Sequence, residues 1–93
     1  MVNITVDGVT YSLRASMKAW RDFETNTGTR MAEIGEADIT KVPELLYYCA
    51  AAGARKEGKE FDVTLDDWMD AITTDDIIEM QEAIATLLGV KKK

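Results

Sequence analysis

Apolar and polar positions alternate with period two along residues 2 to 13, VNITVDGVTYSL: Val2, Ile4 and Val6 share one face, and Val9, Tyr11 and Leu13 resume the pattern after Asp7-Gly8. An Asp-Gly pair between two alternating runs is the turn chemistry of a type I′ hairpin, whose two central residues both need positive φ. A two-stranded ribbon is marginal alone in water, so its apolar face must rest on the remainder of the chain.

From Ser16 the period becomes helical. Ser16 can N-cap a helix running to about Asn26, with Met17, Trp20, Phe23 and Thr27 at spacings of three to four and Gly28 placed to end it. Trp20 and Phe23 are its expected core residues. Thr29 to Ala37 reads as a loop with at most one short helical turn on Met31 and Ile34, because Gly35 interrupts anything longer. Thr40 then caps a helix over Lys41 to Ala54, KVPELLYYCAAAGA, whose first turn accommodates the chain's single proline, Pro43. Val42, Leu45, Leu46, Cys49, Ala52 and Gly53 share one face of that helix, and Tyr47, Ala51 and Ala54 lie opposite. A helix apolar around most of its circumference must be covered on more than one side, which makes this the central helix. Three alanines followed by Gly53 leave little side-chain height, so a neighbouring backbone can approach closely there.

The polar segment ARKEGKEFD follows, with Gly58 ending the central helix and Phe61 and Val63 turned back towards the core. Thr64 and Asp67 have the form of a capping box before a short helix with Trp68, Met69 and Ile72 on its apolar side. Thr73 or Thr74 caps the last helix, in which Ile77, Met80, Ile84, Leu87 and Leu88 make one stripe, Glu79, Glu82 and Thr86 face away, and Gly89 closes the end. The fold class is therefore α+β: an N-terminal β-hairpin (2–13) packed on a small bundle of about four helices (16–89), followed by a lysine tail (90–93), in one domain.

Charge narrows the set of partners. The 93 residues carry a net charge of -6, and without the three terminal lysines the body has 8 basic and 17 acidic residues, or -9. Such a surface repels nucleic acid and anionic lipid. No run of about 18 apolar residues offers a membrane span, and no basic-then-apolar leader opens the chain, so a soluble intracellular protein is expected. A lone cysteine, Cys49, cannot form an internal disulfide, and histidine is absent, which removes the commonest neutral-pH base and metal ligand.

Catalytic chemistry finds no foothold in this inventory. Cys49 lies among alanines with no histidine to activate it, so a raised thiol pKa and inertness are expected. Asp66, Asp67, Asp70, Asp75 and Asp76 lack the loop glycine and terminal Glu spacing of an EF-hand, and most fall in first turns, where the helix dipole favours them. GARKEGK lacks the phosphate-loop pattern and follows no strand. The reading is a non-enzymatic protein with no cofactor, metal or catalytic residue. What remains is a surplus of large apolar and aromatic groups for so small a domain, among which Tyr47, Tyr48, Trp68, Met69 and Ile72 form the candidate partner-binding set. Aromatic and methionine side chains supply adaptable contact area at protein interfaces.

Three segments carry a family resemblance. MKAWRDFETNTG is similar to a helix ending in an acidic residue plus Thr-Gly, DITKVPELLYYCAAAGA looks like an alanine-rich central helix, and FDVTLDDWMDAITTDDIIEMQEAIATLLG looks like closing helices opened by T-x-x-D/E. In this order and spacing the chain resembles the small tail assembly chaperones of long-tailed bacteriophages and related prophages. The resemblance implies a protein of the host bacterial cytoplasm, left out of the mature virion, that coats the tape measure protein and keeps it soluble until tail tube protein polymerises around it. It also implies a longer, frameshifted form; three successive lysine codons at 91–93 suit a slippery site, and a solvated tail, favourable near a helix C-terminus, accounts for the same lysines at least as well. A homo-oligomer, for example through the exposed edge of strand 2–6, is compatible with this reading. The competing class is a small acidic regulatory or decoy protein that binds a basic partner through acids such as Asp66, Asp70 and Glu79.

Overall fold

Asp7 and Gly8 take φ of 51° and 79°, so both turn positions are left-handed as a type I′ hairpin demands. The turn joins β1 (Val2–Val6) and β2 (Val9–Leu13), which pair antiparallel with Val2 opposite Leu13, Ile4 opposite Tyr11 and Val6 opposite Val9. Every apolar residue of the alternation therefore lands on one face, where Ile4, Val6 and Leu13 are buried. On the other face the Thr5 and Thr10 hydroxyls hydrogen-bond at 3.1 Å. The structure, a computed structural model, describes residues 2–30 and 41–87. The expected loop with Met31, Ile34 and Gly35, the Thr40 cap, Leu88, Gly89 and the lysine tail lie outside the described residues.

Among the described residues four α-helices follow the hairpin: α1 (Met17–Thr27), α2 (Lys41–Lys56), α3 (Leu65–Ala71) and α4 (Ile77–Leu87), the last preceded by a 3-10 turn, Thr74–Asp76. This is the α+β architecture that the change of period predicts. The expected caps at Ser16, Thr64 and Thr73 form. The Ser16 hydroxyl accepts from Ala19 N–H at 3.1 Å, and the Thr64 hydroxyl from Asp67 N–H at 3.1 Å. At Thr73 the reciprocal arm is present as well, the backbone N–H donating to the Asp76 carboxylate at 3.0 Å. The central helix runs two residues beyond the expected end and closes in a Schellman motif: Lys59 N–H donates to the Ala54 carbonyl at 2.9 Å and Gly58 N–H to that of Arg55 at 3.2 Å.

Helix α2 is the hub, packing against α1, β2, α3 and α4, while β1 lies on α4. Its close-packing surface receives strand β2. A methyl group added at Gly53 would fall on the Ser12 carbonyl oxygen and 2.8 Å from the carbonyl carbon. Nearby, Arg14 N–H donates to the Cys49 carbonyl at 3.0 Å, tying the end of β2 to the helix backbone. The buried set on α2 contains the whole expected face and adds Pro43 and Ala50.

One core assignment on α1 needs correction. Phe23 is fully buried as expected, but Trp20 is 38% exposed and Met17 is 77% exposed. The helix turns Ala19 and Phe23 inwards, a stripe one residue round from the one that the large side chains suggest. Small Ala19 permits close approach to α2, whereas Trp20 at that position would hold the helices apart. The indole N–H of Trp20 instead donates to the Glu24 carboxylate at 3.0 Å, one turn along α1.

Candidate functional site

The five candidate partner-binding residues separate into two places. Trp68 is interior, with 1% of its surface exposed, and its indole N–H donates to the Pro43 carbonyl at 3.0 Å. Around it stand Tyr11, Tyr47 and Phe61, with ring centroids 5.1, 5.8 and 6.2 Å from the indole. The Tyr11 and Tyr47 pairs are edge-on and the Phe61 pair is tilted; edge-on pairs contribute about 0.5–1.5 kcal/mol each beyond their buried area. Tyr47 is half-buried, its hydroxyl donating to the Val63 carbonyl at 2.7 Å, which holds segment 61–63 against the central helix. Burial pushes its phenol pKa up. Tyr48 packs edge-on to Tyr47 and Phe23 and is shifted the same way, first by burial and then by the Glu44 charge. These aromatics therefore cement α2 to α1, the hairpin and α3. Trp68 offers no open contact surface, whereas Tyr47 and Tyr48 stay half-buried.

Met69 and Ile72 lie elsewhere. With Pro43, Ile77 and Ile78 they line an open groove of about 500 Å³ between α3 and the start of α4, rimmed by Thr73, Thr74 and Gln81. The groove lies where α3 ends at Ala71 and the chain turns through Ile72 and Thr73 into the next cap. Ile78 stands on its edge, 69% exposed. The α4 stripe of Met80 and Ile84 faces the core, so Ile78, about 100° round the helix from Ile77, cannot join it. The signal was present in the sequence as a second isoleucine beside the stripe, on what is otherwise the polar side.

A smaller cleft of about 260 Å³ lies between β2 and the end of α2, lined in part by Tyr11, Ala50, Glu57 and Phe61. Its central charge is already matched: Glu57 accepts from the Ser12 hydroxyl at 3.0 Å and pairs with Lys59 at 3.3 Å. Among the described residues no cluster of three His, Cys, Asp or Glu could hold a metal ion, and no helix is long and apolar enough to cross a membrane.

The chain matches no protein-family model, no curated protein and no solved structure.

Cys49 is 2% exposed, and burial pushes its thiol from 9.0 up to about 12. It is thus protonated and shielded. Alkylation by iodoacetamide at pH 8 is expected only after unfolding in urea, as mass spectrometry of native and denatured samples will read. Between pH 9 and 12 the unfolded chain releases a proton that the folded chain keeps, so stability falls as pH rises, by about 1.4 kcal/mol per unit. Denaturant midpoints across that range check the sign.

Proposed function

We propose that this domain is a non-enzymatic tail assembly chaperone that holds the tape measure protein soluble in the host cytoplasm and leaves it as tail tube protein polymerises. The observation that carries the reading is the apolar groove with Ile78 on its edge, an unsatisfied hydrophobic surface on a chain of net charge -6. A long apolar or amphipathic helix exposes more surface than a soluble protein tolerates, and many copies of a small acidic domain mask it reversibly. Their mutual repulsion keeps the coated assembly dispersed. A single shallow groove gives weak affinity per copy, which suits displacement by the tube. The similarity of MKAWRDFETNTG, the alanine-rich α2 and the closing helices to tail assembly chaperones identifies the partner in this proposal.

The test is co-expression with the tape measure protein of its own gene neighbourhood, followed by affinity capture and a high-salt wash. The expected result is a soluble, salt-resistant complex with one very long helical protein, which precipitates when expressed alone. Capture of a small basic protein that salt releases would instead establish the acidic decoy.

A further inference from the structure

The groove's outer rim, beyond the threonines and glutamine of its lining, is built by segments that carry one sign of charge. Between Glu60 and Leu87, the stretch that supplies every lining residue except Pro43, the chain has nine acids and no lysine or arginine. Asp66 and Asp70 flank Met69 on α3, and Asp75 and Glu82 lie three before and four after Ile78, the spacings of neighbours on a helix surface. All four are exposed, and among the described residues none has an ion-pair partner. The nearest basic residue in sequence to Pro43, Lys41, is engaged by Glu44 at 3.5 Å.

We infer that the groove between α3 and α4 is the partner-binding surface and that it takes an amphipathic α-helix whose apolar stripe is bordered by lysine or arginine. The floor of Pro43, Met69, Ile72 and Ile77 accepts side chains at helical spacing of three and four, and the lining has no charged group to fix a small polar ligand. The acidic rim then selects what borders the stripe. Groove-to-groove pairing of two copies does not suit it, because the same acidic rim would then face itself. The inference rests on the reading as a helix-holding chaperone and specifies its surface and the chemistry of the segment held.

The test uses the whole protein and two fluorescent 18-residue synthetic helices with the same leucine stripe, one bordered by lysine and the other by glutamate, read by anisotropy. The lysine-bordered helix is expected to bind about tenfold tighter at low salt, a preference that high salt narrows without abolishing binding. Because Ile78 is exposed, Ile78→Asp leaves the melting temperature within about 2 °C and removes binding. Asp70→Lys with Glu82→Lys reverses the preference. Equal binding of both helices, binding of neither, or undiminished binding by Ile78→Asp overturns the inference. The two readings fail separately. Capture of the tape measure protein by Ile78→Asp as well as by the parent chain removes the groove and keeps the chaperone, whereas peptide selectivity without tape measure capture keeps the groove and removes the chaperone.

Discussion

Gly53→Ala is expected to lower stability by about 3 kcal/mol, or roughly 15 °C in melting temperature, for a single methyl group. Helix propensity alone predicts the opposite, since alanine in a helix interior is favoured over glycine by about 1 kcal/mol. The clash decides the sign. The new carbon meets the Ser12 carbonyl, main-chain atoms of a strand held by cross-strand pairing and by the Arg14 to Cys49 bond, so no side chain can rotate out of the way. Either β2 lifts from α2, exposing Leu13, or the helix shifts and loosens its contacts with α1 and α4. Against a total stability of about 5–14 kcal/mol for 93 residues, this is a large share. Thermal unfolding followed by circular dichroism measures it, and a melting temperature at or above that of the parent chain would show that the close approach does not govern packing.

Trp68→Ala is expected to lower stability by about 4 kcal/mol. The indole is among the largest fully buried side chains of the described residues and supports Tyr11, Tyr47 and Phe61 at once, so its removal leaves a cavity where the hairpin, α2 and α3 meet. Trp68→Phe keeps most of the apolar volume and loses the hydrogen bond to Pro43, so a smaller loss of about 1–2 kcal/mol is expected. Urea titration of the three proteins gives the comparison. A loss below about 1 kcal/mol for Trp68→Ala would place the indole outside the cooperative core. The contrast with Ile78→Asp follows from exposure: one substitution empties the interior and the other alters a surface, so only the second separates binding from folding.

Local chemistry set the elements of this protein. The Asp7-Gly8 turn, the threonine and serine caps at 16, 64 and 73, and the glycine stop at 58 act within a few residues of themselves, so their outcome is written in the order of the chain. The small-residue run ending at Gly53 likewise announced a close approach, because absent side-chain height needs no partner to be recognised. Rotation of a helix about its axis is a different matter. Met17, Trp20 and Phe23 make as regular a stripe as Ala19 and Phe23, and only contact with α2 selects the smaller face. The same holds for the site. Tyr47 and Trp68 are aromatic surplus in sequence; in space Trp68 is an interior support and Tyr47 a half-buried one, because the 61–63 segment packs against them. Met69 and Ile72 belong to the candidate surface in sequence, yet the groove they share with Ile78 is formed only where α3, the 72–74 turn and the start of α4 come together with Pro43. By itself the sequence determined the hairpin, the helices, the caps at 16, 64 and 73 and the acidic composition, all of which depend on neighbours in the chain. Which large side chains are enclosed and which remain open to a partner was decided by the tertiary structure, because burial depends on residues distant in sequence that must compete for the same space.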